Sequence, residues 1–199
     1  MRWTEAEDLR PGDFLVTETG TLENLMVDLD NVSWPNLFGP IAAVDTVLVP
    51  GYVDDDTGRR TVARGYPSRV ALGRDGVFVE FATDGYSGQL TFQVKDDIEI
   101  PEEIVEDPSL KPLYIDITWL FVREPIPRRL ESITLYLNEE SDLSERRVRA
   151  ASATLEGGGV LALDPFSFSG MEIGSATLRD EIEQNVMSSP DGRRAVIRP

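Results

Sequence analysis

The alternation of apolar and polar residues along residues 112–138 is the pattern from which we interpret the rest of the chain. Apolar residues fall at every second position there: Leu113, Ile115, Ile117, Trp119 and Phe121, with Ile133, Leu135 and Leu137 in the returning run. Since a β-strand sends alternate side chains to opposite faces, the first five share one face of a predicted strand. Burying them contributes about 8–15 kcal/mol, which is roughly the cost of ordering the backbone. We therefore predict a hairpin that lies against a second layer.

Shorter alternating runs between turn-forming residues predict further strands. Residues 24–32 and 41–49 have this pattern, and Pro50 and Gly51 are expected to end the second run. Two further hairpins are predicted, residues 77–82 with 90–95 and residues 148–156 with 160–164, the latter joined by three glycines at 157–159. Consecutive glycines accept any turn geometry, including positive φ.

One helix is predicted near the end of the chain, over residues 175–187. Thr177 is placed to cap it, and Leu178, Ile182 and Val186 recur at a helical spacing. Residues 195–197 are expected to return as a last edge strand. Residues 101–112, which are rich in proline and acids, are expected to form a crossover.

These elements indicate an all-β fold, mainly antiparallel. We predict a β-sandwich or partly closed barrel with one short C-terminal helix, and an α+β arrangement is the alternative. The 199 residues are expected to form a single β-rich domain with an internal crossover at residues 101–112.

The chain contains neither cysteine nor histidine. The first absence excludes disulfides and thiolate chemistry. The second excludes Ser-His-Asp and Cys-His sites, imidazole metal ligands and the usual general base near neutral pH. We therefore expect no cofactor and no catalytic residue of these kinds.

The net charge of −17 would repel a phosphate backbone, so no nucleic-acid partner is expected. All 19 basic residues except Lys95 and Lys111 are arginine. Dense acid with little lysine fits a halophilic, high-salt host, where charge repulsion is screened. An ordinary acidic protein from a GC-rich genome is the alternative interpretation.

The sequence has no apolar run approaching the ~20 residues of a membrane span. Its beginning is acidic and lacks the apolar segment of a secretory signal. We therefore expect no membrane partner, and a location in the cytoplasm or within an assembled particle.

The densest carboxylate cluster is formed by Asp54, Asp55 and Asp56, which are candidate ligands for a hard cation. An EF-hand loop starting at Asp54 would need glycine and glutamate where the chain has Arg59 and Gly65. The pattern favours a solvated hairpin tip, and we predict no metal site.

Asp116 is the one carboxylate within the most apolar predicted strand. A raised pKa would make it a general acid, with Glu131 across the hairpin as the partner that glycoside hydrolysis needs. A pair with an arginine on a neighbouring strand, or a half-exposed position, is the favoured interpretation.

Two kinds of residue are candidates for contact with a protein partner. Trp34, Leu37 and Phe38 form an apolar group in a loop that is rich in proline and glycine. The second kind is a set of paired arginines in an acidic chain: Arg128, Arg129, Arg146 and Arg147.

The sequence favours a non-catalytic structural or interaction protein, a subunit of a larger assembly such as a virus particle or surface layer. Its partner would be another protein or a second copy. The alternatives are a β-barrel that binds a small apolar ligand and a carboxylate-based glycan hydrolase.

Overall fold

The computed structural model describes residues 13–16, 22–23, 43–54, 63–65, 68–84, 87–122, 128–166 and 170–198. The strands are β1 Asp13–Val16, β2 Leu22–Glu23, β3 Ala43–Val44, β4 Thr46–Asp54, β5 Ala63–Gly65, β6 Arg69–Arg74, β7 Val77–Asp84, β8 Gln89–Lys95, β9 Leu110–Asp116, β10 Arg128–Leu137, β11 Arg147–Val148, β12 Ala150–Leu155, β13 Gly159–Phe166, β14 Gly170–Gly174 and β15 Arg193–Ile197. The helices are α1 Glu102–Val105, α2 Thr118–Phe121 and α3 Ala176–Met187.

The strands form two mainly antiparallel sheets. The first has the order β14-β13-β12-β10-β15-β1-β2, with β3 paired to the start of β10. The second has the order β11-β8-β7-β6-β4-β5, with β9 paired to β4. One sheet is curled into a half-barrel. The predicted all-β class, a sandwich that is partly closed, is confirmed.

The core lies between the two sheets and follows the predicted alternation. Val79 and Phe81 of β7 and Phe92 of β8 are at most 2% exposed. The Phe81 and Phe92 rings lie 6.1 Å apart. The first sheet contributes Leu130, Ile133, Leu135, Leu161 and Leu163. The hairpin of β7 and β8 is confirmed, as is that of β12 and β13.

Tight turns join several of these strands. Asp75 and Gly76 connect β6 to β7 with φ values of 54° and 82°, and Gly157 and Gly158 connect β12 to β13 with 85° and 84°. Two consecutive positive φ angles are typical of the primed turns whose twist matches that of a hairpin. The prediction that the glycines at 157–159 form such a turn is confirmed.

The predicted hairpin over residues 112–138 is wrong. β9 ends at Asp116 and pairs with β4 in the second sheet, where Ile115 lies opposite Val49, whereas β10 belongs to the first sheet. The chain turns into α2 immediately after β9. The alternation in residues 117–121 therefore does not describe a strand.

Pro50 does not end its strand as predicted. β4 pairs with β6 up to Leu48 and with β5 from Gly51. Pro50 falls between these two ladders, where neither β6 nor β5 needs an N–H from this position. The missing N–H therefore breaks neither ladder, and β4 continues to Asp54.

The crossover after β8 contains α1 and covers part of the second sheet's outer face. Ile104 of α1 is 2% exposed, and α1 packs against β9. Glu80, which alternates with the core residues Val79 and Phe81, is 3% exposed on that face. Part of the outer face of the second sheet is therefore buried as well.

The predicted helix is confirmed as α3, which covers the outer face of the first sheet. Leu178, Ile182 and Val186 pack against Tyr136 and against Ala150 and Ala162. The helix begins after Ser175 instead of at Thr177. β15 is an interior strand between β10 and β1, so the prediction of an edge strand there is wrong.

Candidate functional site

The short helix α2 is held in place by hydrogen bonds to β4 and to Asp116, the last residue of β9. The Ile117 N–H donates to the Val47 carbonyl oxygen at 2.9 Å. The Val47 N–H donates to Thr118 Oγ1 at 2.7 Å, and the Thr118 N–H donates to Asp116 Oδ1 at 2.8 Å. The bond from the Thr118 N–H to Asp116 is local, and such bonds between side chain and backbone compete with strand pairing. They explain why the chain leaves the sheet after Asp116.

The two sides of α2 differ sharply in exposure. Phe121 and the following Val122 are 7% and 3% exposed and belong to the core. Trp119 is 75% exposed and Leu120 is 52% exposed. The buried side of α2 fixes the direction in which its exposed side points. We call Asp116, Trp119 and Leu120 the Trp119 turn.

The first sheet fixes the end of α2 as well. A Cβ atom on Gly159 would lie 2.6 Å from the Phe121 carbonyl oxygen. Only glycine allows this approach. α2 thus lies between β4 of the second sheet and β13 of the first, and the Trp119 turn projects from a packed junction.

Exposure of this kind is rare in the part of the chain that the structure describes. Three large apolar side chains there are more than half exposed: Val105, Trp119 and Leu120. A single exposed valine needs no explanation. Tryptophan carries a large apolar surface and is enriched among residues that dominate binding energy. The Trp119 turn is therefore the candidate site.

Two of the predicted arginines lie at the same end of the molecule as α2. The Arg128 guanidinium lies 3.6 Å from the position of a Cβ on Gly157, in the turn that leads to Gly159. The Arg129 carbonyl oxygen accepts the Glu156 N–H at 2.8 Å. The predicted arginine pair thus lies at the turn between β12 and β13, and Gly159, which follows this turn, approaches the end of α2 at Phe121.

The other predicted arginines lie elsewhere. Arg146 and Arg147 follow the opposite end of β10, where Arg147 pairs with Thr91 of β8. Arg147 also forms an ion pair with Glu145 at 3.1 Å. Since β10 spans ten residues, about 30 Å, the structure does not join these arginines to Arg128 and Arg129.

Several predicted candidates lie outside the described residues. These are Trp34, Leu37, Phe38, Asp55 and Asp56, whereas Asp54 is the last residue of β4. Within the described ranges no group of three or more acidic side chains could hold a metal ion.

Asp116 is exposed and accepts the Thr118 N–H, and Glu131 lies on β10 in the other sheet. The strand pairing that would have placed these two carboxylates side by side does not form.

Sequence reasoning missed a buried cluster of charges on the outer face of the second sheet. Glu80 Oε1 lies 2.8 Å from Lys95 Nζ and 3.9 Å from an Arg69 guanidinium nitrogen. It also accepts the Gln93 amide at 3.2 Å. Glu80 stands in the middle of a strand, and the alternation within that strand does not reveal that its side chain is buried. The two cations compensate its burial.

Tyr114 points toward the same cluster from β9. Its hydroxyl is buried and has no hydrogen-bond partner among the described residues. Burial, and then the negative charge of Glu80, raise the pKa of Tyr114 to about 12. A phenol with this pKa stays protonated near neutral pH and is a poor proton donor there. The cluster is best explained as packing beneath the crossover.

The fold and the site define an all-β protein of two facing sheets that presents a tryptophan at their junction. No family model, no curated protein and no solved structure matches the chain. No helix in the described ranges is both long and apolar enough to cross a membrane.

Proposed function

We propose that the protein is a non-catalytic interaction protein, a structural subunit that joins a larger assembly such as a virus particle or surface layer. The observation that carries this proposal is the exposure of Trp119 on a turn whose other side is packed into the core. The partner is a protein that covers the indole and Leu120.

The rigidity of the turn makes this surface effective for binding. Covering a large apolar side chain contributes about 1.5–3 kcal/mol. Much of that gain is lost when a flexible segment must be ordered on binding. Here Thr118 and Phe121 are already buried, so the cost of ordering α2 is met when the protein folds.

Capture from the native host at native salt tests the proposal. The bait is the full chain, and bound proteins are identified by mass spectrometry, with size-exclusion chromatography and light scattering to follow the complex. We expect Trp119→Ala to lose the captured protein. The matched control, Val105→Ala, shortens another exposed apolar side chain and should retain it.

A wild-type chain that remains a strict monomer at low and at molar salt, and that captures nothing, would contradict the proposed function. Capture that is equal for the wild type and Trp119→Ala would assign the interaction to another surface.

A further inference from the structure

We propose that the Trp119 turn receives an arginine side chain of its protein partner, stacked on the Trp119 indole and bound to the Asp116 carboxylate. This inference rests on the interaction function proposed above and specifies the chemistry of the partner. The occupant is a basic segment of another protein that also places an apolar residue against Leu120.

The position of the carboxylate supports this inference. Asp116 is the last residue of β9, two residues before α2 begins, and Trp119 lies in the single turn of that helix. Asp116 Oδ1 is fixed by the Thr118 N–H at 2.8 Å. No hydrogen bond or ion pair of its second oxygen occurs among the described residues, and Asp116 is exposed. A negative group is therefore held at the start of the helical turn that carries the exposed Trp119.

Arginine suits this pair of groups better than other side chains. Its planar guanidinium stacks on an aromatic face and can donate hydrogen bonds to a carboxylate in the same pose. Lysine offers a compact, strongly hydrated charge that matches the ring less well. A neutral side chain would gain nothing from Asp116.

The charge of the whole protein points to the same kind of partner. A net charge of −17 attracts basic segments over long distances and repels a second copy of the chain. Salt has opposite effects in these two cases. It weakens the attraction to a basic segment and relieves the repulsion between two acidic copies.

A peptide titration of the full-length protein tests the inference. The probe is acetyl-Leu-Arg-Arg-Leu-amide, and its control carries citrulline, which is uncharged and similar in shape, in place of both arginines. Binding is followed by NMR at the Trp119 indole N–H and at the Val105 amide. Val105 reports general attraction because exposed Glu106 and Asp107 follow it directly.

We expect the arginine peptide to shift the Trp119 signal and the citrulline peptide to leave it unchanged. Trp119→Ala lacks the indole probe, so its binding is followed at the Leu120 amide, and it should weaken about 2–5-fold, the range of an exposed cation–π contact. Asp116→Asn keeps an oxygen for the Thr118 N–H and should weaken binding about 2–5-fold. Glu181→Gln removes an exposed carboxylate on α3 and should have no effect.

Four results would overturn the arginine assignment. The first two concern affinity: the citrulline peptide binds as tightly as the arginine peptide, or Asp116→Asn and Glu181→Gln lose affinity equally. The other two concern the NMR signals: the peptide shifts Val105 and Trp119 equally, or the Trp119 shift depends on protein concentration alone. The last would identify a second copy as the occupant. If host capture depends on Trp119 while the arginine peptide does not bind, the inference fails and the interaction function stands.

Discussion

Trp119 and Glu80 are opposite exceptions to the rule that apolar side chains are buried and charged ones exposed. Glu80 is 3% exposed, and its charge is met by Lys95 and Arg69. Trp119 is 75% exposed, and no ring contact or ion pair involving it occurs among the described residues. The buried exception is compensated within the protein. The apolar surface of Trp119 is removed from water only when another molecule covers it. We therefore propose that α2 carries the interaction surface.

The largest expected effect is the difference in stability between a variant on the buried side of α2 and one on its exposed side. Phe121→Ala should lower the free energy of unfolding by about 3 kcal/mol, because it removes a packed aromatic ring from the core. Trp119→Ala, two residues away, should change it by no more than about 0.5 kcal/mol, because its ring is exposed. Urea unfolding of both variants measures the contrast. Equal losses would mean that Trp119 is packed in the folded protein.

The next largest effect tests whether Lys95 and Arg69 stabilise the buried charge of Glu80. Lys95→Met removes the closer cation and leaves a buried carboxylate with Arg69 at 3.9 Å. We expect a loss of about 2 kcal/mol in the free energy of unfolding. Adding Glu80→Gln should recover most of the loss, since the buried charge is then gone. A double variant no more stable than Lys95→Met would show that Lys95 acts through packing.

The smallest effect concerns Tyr114 beside the same cluster. Its pKa is raised from 10.0 to about 12 in the folded protein. Between these values the unfolded chain loses the phenol proton first, so the folded state loses stability as pH rises from 10 to 12. Tyr114→Phe should remove this part of the pH dependence. Parallel stability curves for the wild type and Tyr114→Phe across this interval would contradict the raised pKa.

The sequence predicted the parts of the fold that depend on neighbouring residues. The hairpin of β7 and β8 and the glycine turn at 157–158 are local, and both formed as expected. α3 shows its periodicity within one segment, so its three buried positions were also predictable.

Long-range contacts caused the errors. The partner of β9 is β4, which lies about sixty residues earlier in the chain, and no local pattern identifies it. Trp119 has the alternation of a strand residue, yet the hydrogen bonds that Asp116 Oδ1 and Thr118 Oγ1 accept turn the chain into a helix before it. Glu80 is buried beside Lys95, Gln93 and Arg69 of neighbouring strands, so its own strand does not reveal its environment.

The site was predictable only in part. The sequence indicates Arg128 and Arg129 as contact candidates, and the structure places them at the turn that contains Gly157. Trp119 was assigned to the core because its neighbours at every second position are apolar. An Asp two residues before a Thr is a signal for a turn of this kind, and it was the signal available in the sequence.

The proposed role of Trp119 is tested most simply by measuring how far its indole is exposed to solvent. A full-length variant with Trp3→Phe and Trp34→Phe keeps Trp119 as its single tryptophan. Acrylamide quenching of its fluorescence can then be measured in the dilute monomer and in the complex captured from the host. We predict an indole that the quencher reaches freely in the monomer and poorly in the complex. An indole already protected in the dilute monomer would contradict the account.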